Sequence, residues 1–554
     1  MESASMGPHG PPSMDPKMFI EHAEHYFGRR APMIQLWQEI ALHFYPERAD
    51  FTGNTLTGKD YASNLTTSYP LLVRRELGNA IAAMLRPRTQ EWFKISIDEP
   101  ERLDRAGQAW LERATAIQRR DMYARSSQFV RATKEGDHDF ATFGQAPIQI
   151  SRDWRTGSLV YQTWHLRDVC WTEQPNGEIG AVYRRWKVPL MTGRQYFGPK
   201  LCAQARHETN QFADYEFLHC VMPAADCDCM GMAINRPWLS VWIDVRNKHV
   251  IEAVPMPTRG YIIPRFQTMS GSQYAFSPAT WAGLPDARLL QAMALTLLEA
   301  GEMAVRPPMV ATKDVIKGTI ELFSGGVTWL DREYDERLGD ALRPITQDRT
   351  GLPFGLEMTR DSREMLAQAF YLNKISLPQV DKEMTAYEAN QRMQEYVRGA
   401  LPLFEPAESE YNGALCEETF ELEMRAGRFG PYEDIPQSVR GAETRFVFES
   451  PIHDALERQK GLRFSEAREM ILGAAELDRS AGLIIDVRRA LREALSAVGV
   501  PAAWQRDEDE VEQMTQDMDD EQADNAALQQ VAAGGEAAER MGKGMKALVD
   551  ADAA

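Results

Sequence analysis

A chain of 554 residues can bury several cores, and its 44% apolar and 26% charged content is that of a folded protein. Its formal net charge of -19 excludes a protein that grips duplex nucleic acid over its whole surface, because such affinity comes from neutralising phosphates. Six cysteines without a basic, apolar leader point to a reducing compartment rather than to disulfides, and no apolar run has the length to cross a bilayer.

Residues 1–15, rich in Gly, Pro and Ser, are expected to be disordered. From Pro16 to Tyr45 the apolar residues Phe19, Tyr26, Phe27, Ile34, Trp37, Ile40, Ala41 and Phe44 recur at helical spacing and predict one helix. Residues 46–60 read as a loop, and Tyr69 to Leu85 as a helix ended by Arg86-Pro87. Glu91 to Ile97 and Ala146 to Ile150 alternate as strands do. Leu159 to Trp171, Ala181 to Val188 and Trp238 to Val245 are aromatic and β-branched runs of the same kind. Helical runs at 101–123 and 126–139 interrupt them, so 16–284 reads as an α+β region.

Pro285-Asp286 opens a helix over 285–305, with Pro where its missing donor costs nothing. Leu290, Met293, Leu297, Gly301 and Ala304 share one face, and the two small residues would let another helix come close. Pro307-Pro308 ends it. Residues 306–355 are short strand-like pieces around Ser324-Gly325-Gly326. A second helix is expected over 356–375, with Met365, Leu366, Ala369 and Leu372 inward. The loop within 376–384 carries Ser376, Leu377, Pro378, Gln379, Val380, Asp381, Lys382 and Glu383.

Thr385 followed by Glu388 has the spacing of a capping box and starts a long helix over 385–430. Its apolar stripe is Tyr387, Ala389, Met393, Tyr396, Val397, Ala400 and Leu401. Pro402 and Pro406 predict a kink. Within 431–505, Thr444 to Phe448 alternates as a strand, and helices are expected at 452–477 and 485–498. From Asp507 onward a dense acidic block without basic partners predicts a solvated tail over 506–554.

Motifs for chemistry are weak. Gly53-Asn54-Thr55-Leu56-Thr57-Gly58-Lys59-Asp60 has the spacing of a phosphate-binding loop. Asp60 stands where a magnesium-holding hydroxyl is needed, and no apolar strand precedes it, so a surface loop is the better reading. His219, Cys220, Cys227 and Cys229 are zinc-ligand types, but Cys227-Asp228-Cys229 is too tight for a metal knuckle. No nucleophile elbow or His-Glu-x-x-His is present, and nothing argues for an enzyme, a metal or a cofactor.

Five stretches carry a family likeness. They are Leu85-Arg86-Pro87 with Trp92-Phe93-Lys94-Ile95; Phe276 to Leu297, with Pro278 and Leu284-Pro285-Asp286-Ala287-Arg288; Pro307-Pro308; Met384-Thr385-Ala386 with Glu388; and Phe448-Glu449-Ser450-Pro451. In this order, over 65–500, the chain resembles the portal proteins, the head-to-tail connector family of short-tailed phages (podoviruses). Pro402, Pro406 and the cysteine-bearing loop at 220–235 depart from that pattern.

The resemblance implies a portal fold. It would have an α/β wing to residue 284, stem helices at 285–305 and 356–375, a β-containing clip at 306–355 and a tunnel loop at 376–384. A long kinked helix at 385–430, a helical crown at 431–505 and an acidic tail or barrel at 506–554 complete it.

It also implies a homo-oligomeric ring, usually a dodecamer, at one capsid vertex. Double-stranded DNA would pass through its channel in packaging and ejection, past the tunnel loop residues 376–383. Terminase would supply the motor. Implied partners are terminase, a tail adaptor, and the major capsid and scaffolding proteins; no membrane is implied. The location is the virion, with assembly in the host cytoplasm. The clip would dock terminase and adaptor through Phe323 and Trp329, rimmed by Asp331, Arg332, Glu333, Asp335, Glu336 and Arg337. A mostly negative channel wall would keep the duplex centred and mobile. The rival readings are another structural tail or capsid protein of a phage, or a soluble enzyme with an unrecognised site.

Overall fold

A computed structural model of the chain describes residues 15–53, 60–63, 65–88, 90–99, 102–153, 155–226, 236–311, 342–344, 351–375, 405, 407–448, 467–468, 470–471, 486–497, 506 and 510–518. The chain forms two compact units. One comprises Met1–Lys94, Thr115–Gly430 and Phe446–Ile452; the other comprises Ile95–Ala114, Pro431–Arg445 and His453–Ala554.

The predicted first helix is two, α1 (Pro16–Arg29) and α2 (Ala31–Phe44). Pro32 is the cause: it has no N–H to give and cannot sit inside a continuous helix, but it fits the first turn of α2. Arg30 stands at the break. Its buried guanidinium donates to the carbonyls of Leu166, Arg167 and Val169. Of residues 1–15 only Asp15 is described, and it caps α1 by accepting from the Lys17 N–H at 3.0 Å. Next come α3 (Tyr69–Leu85), with the predicted bounds, β1 (Phe93–Ile97), α4 (Arg105–Met122) and α5 (Phe129–Phe143). Gly144 ends α5 at φ 78, with its N–H on the Phe140 carbonyl at 2.9 Å, the left-handed cap that glycine adopts freely.

The strands follow: β2 (Ile148–Arg152), β3 (Leu159–Thr163), β4 (Val169–Glu173) and β5 (Ile179–Pro189). The predicted strand Leu159 to Trp171 is therefore two, split where the His165 side chain accepts from the Arg167 N–H and turns the chain. Then come α6 (Leu190–Phe197), α7 (Ala203–His207), β6 (Asp214–Pro223), β7 (Trp238–Asp244), β8 (His249–Met256) and β9 (Tyr261–Ile262). β4-β5-β6-β7-β8 form an antiparallel meander, and β3-β2-β9 a second sheet.

The meander is covered on both faces. Phe19 and Ala23 of α1 pack on Cys170, Tyr183, Cys220 and Val241. Leu190 and Phe197 of α6, Leu201 between the helices and Ala205 of α7 pack on Phe217, Trp242 and Ile251. This double cover explains why sequence reading missed β6: a strand buried on both sides shows no alternation. It also disposes of a shared metal at His219 and Cys220, which are successive strand residues and point to opposite faces. His219 bonds instead to the Tyr261 and Ser240 hydroxyls, at 2.7 and 2.9 Å. Cys227 and Cys229 lie outside the described residues, as does 54–59 of the phosphate-loop motif.

After β9 come α8 (Leu284–Val305), β10 (Met309–Ala311), β11 (Leu342–Pro344), α9 (Gly351–Ala369), α10 (Leu372–Ile375), α11 (Ala414–Arg425) and β12 (Thr444–Phe448). π-helical turns precede α8, at Ala279–Gly283, and α11, at Glu408–Gly413. The kink expected near Pro402 and Pro406 lies outside the described residues; the helix it was to lead into ends at Arg425.

In the other unit, Asp104 accepts from the Gly107 N–H at 2.7 Å and the Ser438 hydroxyl at 2.5 Å. The predicted crown helix 485–498 is Val487–Ala497, while 452–477 lies mostly outside the described residues. Within the acidic stretch expected to be a solvated tail, 510–518 is helical, and Glu510 lies 3.8 Å from Arg105. No helix among the described residues is long and apolar enough to cross a membrane.

Candidate assembly interface

α8 and α9 are the two predicted stem helices, and they pack on each other. α9 begins at Gly351, earlier than the predicted 356, because Pro353 falls in its first turn, where proline is tolerated. Residues 351–355, expected among the strand-like pieces, are therefore helical. α9 ends at Ala369, and Tyr371 at φ 58 separates it from α10.

One end of this pair is embedded. Leu284, Ala287 and Leu290 of α8 are buried, as are Leu366 and Phe370 at the end of α9. Phe370 lies 5.2 Å from Phe44, ring to ring. Gln291 accepts from the Thr66 and Thr67 N–H groups at 2.8 and 3.0 Å and returns a bond to the Thr67 carbonyl. Arg288 pairs with Glu39. Burial pushes the Asp286 carboxyl above its usual range in this first turn.

The predicted packing face of α8 was Leu290, Met293, Leu297, Gly301 and Ala304, none of which is fully exposed. Within the chain, part of this face packs on α9. A Cβ on Gly355 of α9 would sit 3.0 Å from the Leu297 side chain. Thr359, Ser362 and Leu366 continue the buried row of α9 at helical steps. Gly301 differs: a Cβ there would meet nothing within 4 Å. Met365, expected inward, is 58% exposed because it lies one residue off that row.

What sequence reading missed is the other side of the pair. Leu295, Leu298, Met303 and Val305 of α8 are 48, 56, 47 and 81% exposed, and Phe354 and Leu356 of α9 are 65 and 63% exposed. The signal was present: Leu295, Leu298 and Val305 recur at helical steps on a second stripe, so α8 is apolar around most of its circumference, as in helices buried on every side. Exposed apolar residues grouped in this way mark a place where another molecule packs.

β10 and β11 pair antiparallel, Met309 with Pro344 and Ala311 with Leu342. The two ends of the predicted clip are thus tied together. The predicted docking residues Phe323, Trp329, Asp331, Arg332, Glu333, Asp335, Glu336 and Arg337 lie outside the described residues, as do tunnel loop residues Ser376 to Glu383. No cluster of metal-ligating side chains occurs among the described residues.

The sequence pattern of the bacteriophage head to tail connecting proteins matches residues 18–504. The chain belongs to that family. This connector is a structural component of a phage-type particle and not an enzyme. No curated protein matches it. Among solved assemblies it is similar to the neck of the empty GTA particle computed with C6 symmetry, at 12% identity, 75% of this chain, 92% of that one and TM-score 0.33. It is also similar to the neck of the native GTA particle computed with C12 symmetry, at 11% identity, 72 and 86% coverage and TM-score 0.34. The virion of the native gene transfer agent (GTA) particle follows at 10%, 70 and 94%, and 0.30.

Proposed function

We propose that the connector is the portal of a short-tailed phage-type particle, a closed ring at one capsid vertex through which DNA is packaged and ejected. The observation that carries this is the exposed apolar side of the α8–α9 pair. Leu295, Leu298 and Val305 need cover, and a heterologous contact between identical copies that closes by rotation supplies it. A dodecamer is the number the sequence resemblance implies. The acidic balance of -19 suits a channel that must let a duplex slide, since a wall of cations would release counterions and hold it.

In this reading 312–341, entering and leaving through β10 and β11, is the clip that docks terminase and later the tail adaptor. Residues 376–383 reach toward the DNA, and the capsid and scaffolding proteins meet the ring elsewhere. Mass measurement in solution with negative-stain imaging tests the ring: a ring with a duplex-wide hole is expected, and a monomer overturns it. For the clip, replacing Asp331, Glu333, Asp335 and Glu336 together by Ala should leave rings intact and weaken motor or adaptor binding in a salt-dependent way. Unchanged affinity for both places docking elsewhere.

A further inference from the structure

The α8–α9 pair has two free sides, and they are not alike. Gly283 lies beside Phe370, and Gly355 beside Leu297: a Cβ on either glycine would sit 2.8 and 3.0 Å from those side chains. The helices therefore run antiparallel, in register over about four turns. Each residue turns about 100° around its helix, and in an antiparallel pair one step forward along either helix turns toward the same side. Leu298 and Leu356 each stand one step past the seam at Leu297 and Gly355, so they share a side, with Leu295 and Val305. Phe354 stands one step before the seam, so it faces the opposite side, with Met358 and Met365. These three are 65, 37 and 58% exposed.

The charges on the two sides differ as well. The Leu298 side carries Arg360 and Arg363 with one anion, Glu302. The Phe354 side carries Asp361, flanked by Glu299 and Glu357, and no cation of α8 or α9. Neither Arg360 nor Asp361 has an ion-pair partner among the described residues. A two-fold contact would set the Phe354 side on itself, anion against anion. A contact repeated by rotation sets it on the Leu298 side instead. Rotation about an axis along the helices shifts nothing along that axis, so residues that meet between copies stand at equal height. In the register of the pair, Leu298 is level with Phe354 and Leu295 with Met358. Arg360 and Asp361 are successive residues and so nearly level too.

We propose that the Leu295–Leu298 side of each copy packs on the Phe354–Met358 side of the next, with Arg360 of one copy set against Asp361 of the other. This rests on the ring reading and adds which two surfaces meet. The test is assembly of the full chain, followed by sizing and mass measurement. Leu295→Glu with Leu298→Glu closes one side, and Phe354→Glu with Met358→Glu closes the other. All four side chains are exposed, so both variants should melt like the parent. Each alone should stay monomeric. Mixed, they should give a heterodimer that cannot grow, joined through the one pair of intact sides. Rings from the parent with no heterodimer on mixing overturn the assignment and leave the ring standing, whereas a monomeric parent overturns both. A homodimer of either variant also overturns the assignment, since a side would then pair with itself. If a variant fails to fold, Arg360→Asp and Asp361→Arg decide instead. Each should lower ring yield roughly tenfold, and both in one chain should restore it, because every copy then offers the reversed pair. Single reversals without effect, or a double reversal without recovery, overturn the pairing.

Discussion

Two helices of the connector invert what their sequences suggest. α5 carries Lys134, Glu135, Asp137, His138 and Asp139 in its middle, yet Asp137 and Asp139 are each only 1% exposed. α8 is rich in leucine and alanine, yet Leu298 and Val305 are 56 and 81% exposed. The charges of α5 are buried because cations meet them. Asp137 pairs with Arg86, whose guanidinium also donates to Asn412 at 2.7 Å and lies 4.4 Å from the ring centre of Tyr411. Asp139 pairs with Arg48 at 3.0 Å. Leu295, Leu298 and Val305 of α8 stay outside because no described residue of the chain covers them. Composition decides what a helix can tolerate; the neighbours decide what it gets.

The sharpest way to break the comparison is to remove one buried charge of α5. Asp137→Ala leaves Arg86 buried without its anion and should cost about 3–5 kcal/mol in chemical denaturation; a loss within error would mean that water already screens the pair. Next comes the packing between α3 and α5. A Cβ on Gly78 would run into the His138 ring, so Gly78→Ala should cost about 1–3 kcal/mol, measured the same way.

The same histidine makes stability pH-dependent. Burial, helped by Arg74, Lys134 and Arg75, pushes His138 from 6.5 down to about 4. The unfolded chain therefore binds the extra proton first, and stability should fall as pH drops from 6.5 toward 4 and level off below. The ring is partly exposed, which discounts the effect to about 1–2 kcal/mol. In His138→Gln this part of the slope should vanish, and an unchanged acid limb would assign it elsewhere. The smallest effect on the chain itself belongs to α8. Leu298→Glu and Gly301→Leu meet no packed neighbour and should shift monomer stability by less than about 0.5 kcal/mol. Both should nonetheless lower ring yield in sizing and imaging, and parent-like rings from both would remove the α8 side from the interface.

Local rules alone determined a good part of this connector. Proline at an early position and a breaker at the end bounded α3 and α8, since helix ends depend on near neighbours in the chain. Alternation found β12, and of the predicted α8 face Leu290 is buried and Leu297 meets α9. Local rules also displaced some boundaries: Pro32 was overlooked inside a periodic run, and α9 begins at Gly351 rather than 356, with Pro353 in its first turn. Tertiary structure decided the rest. β6 and β8 became visible only as members of a meander, because pairing, not pattern, defines a strand covered on both faces. Within the chain, Leu297 of the α8 face meets α9, and Leu295, Leu298 and Val305 are left exposed. Periodicity can mark an apolar stripe, but which stripe is covered depends on what lies across from it, and that is set by residues distant in sequence.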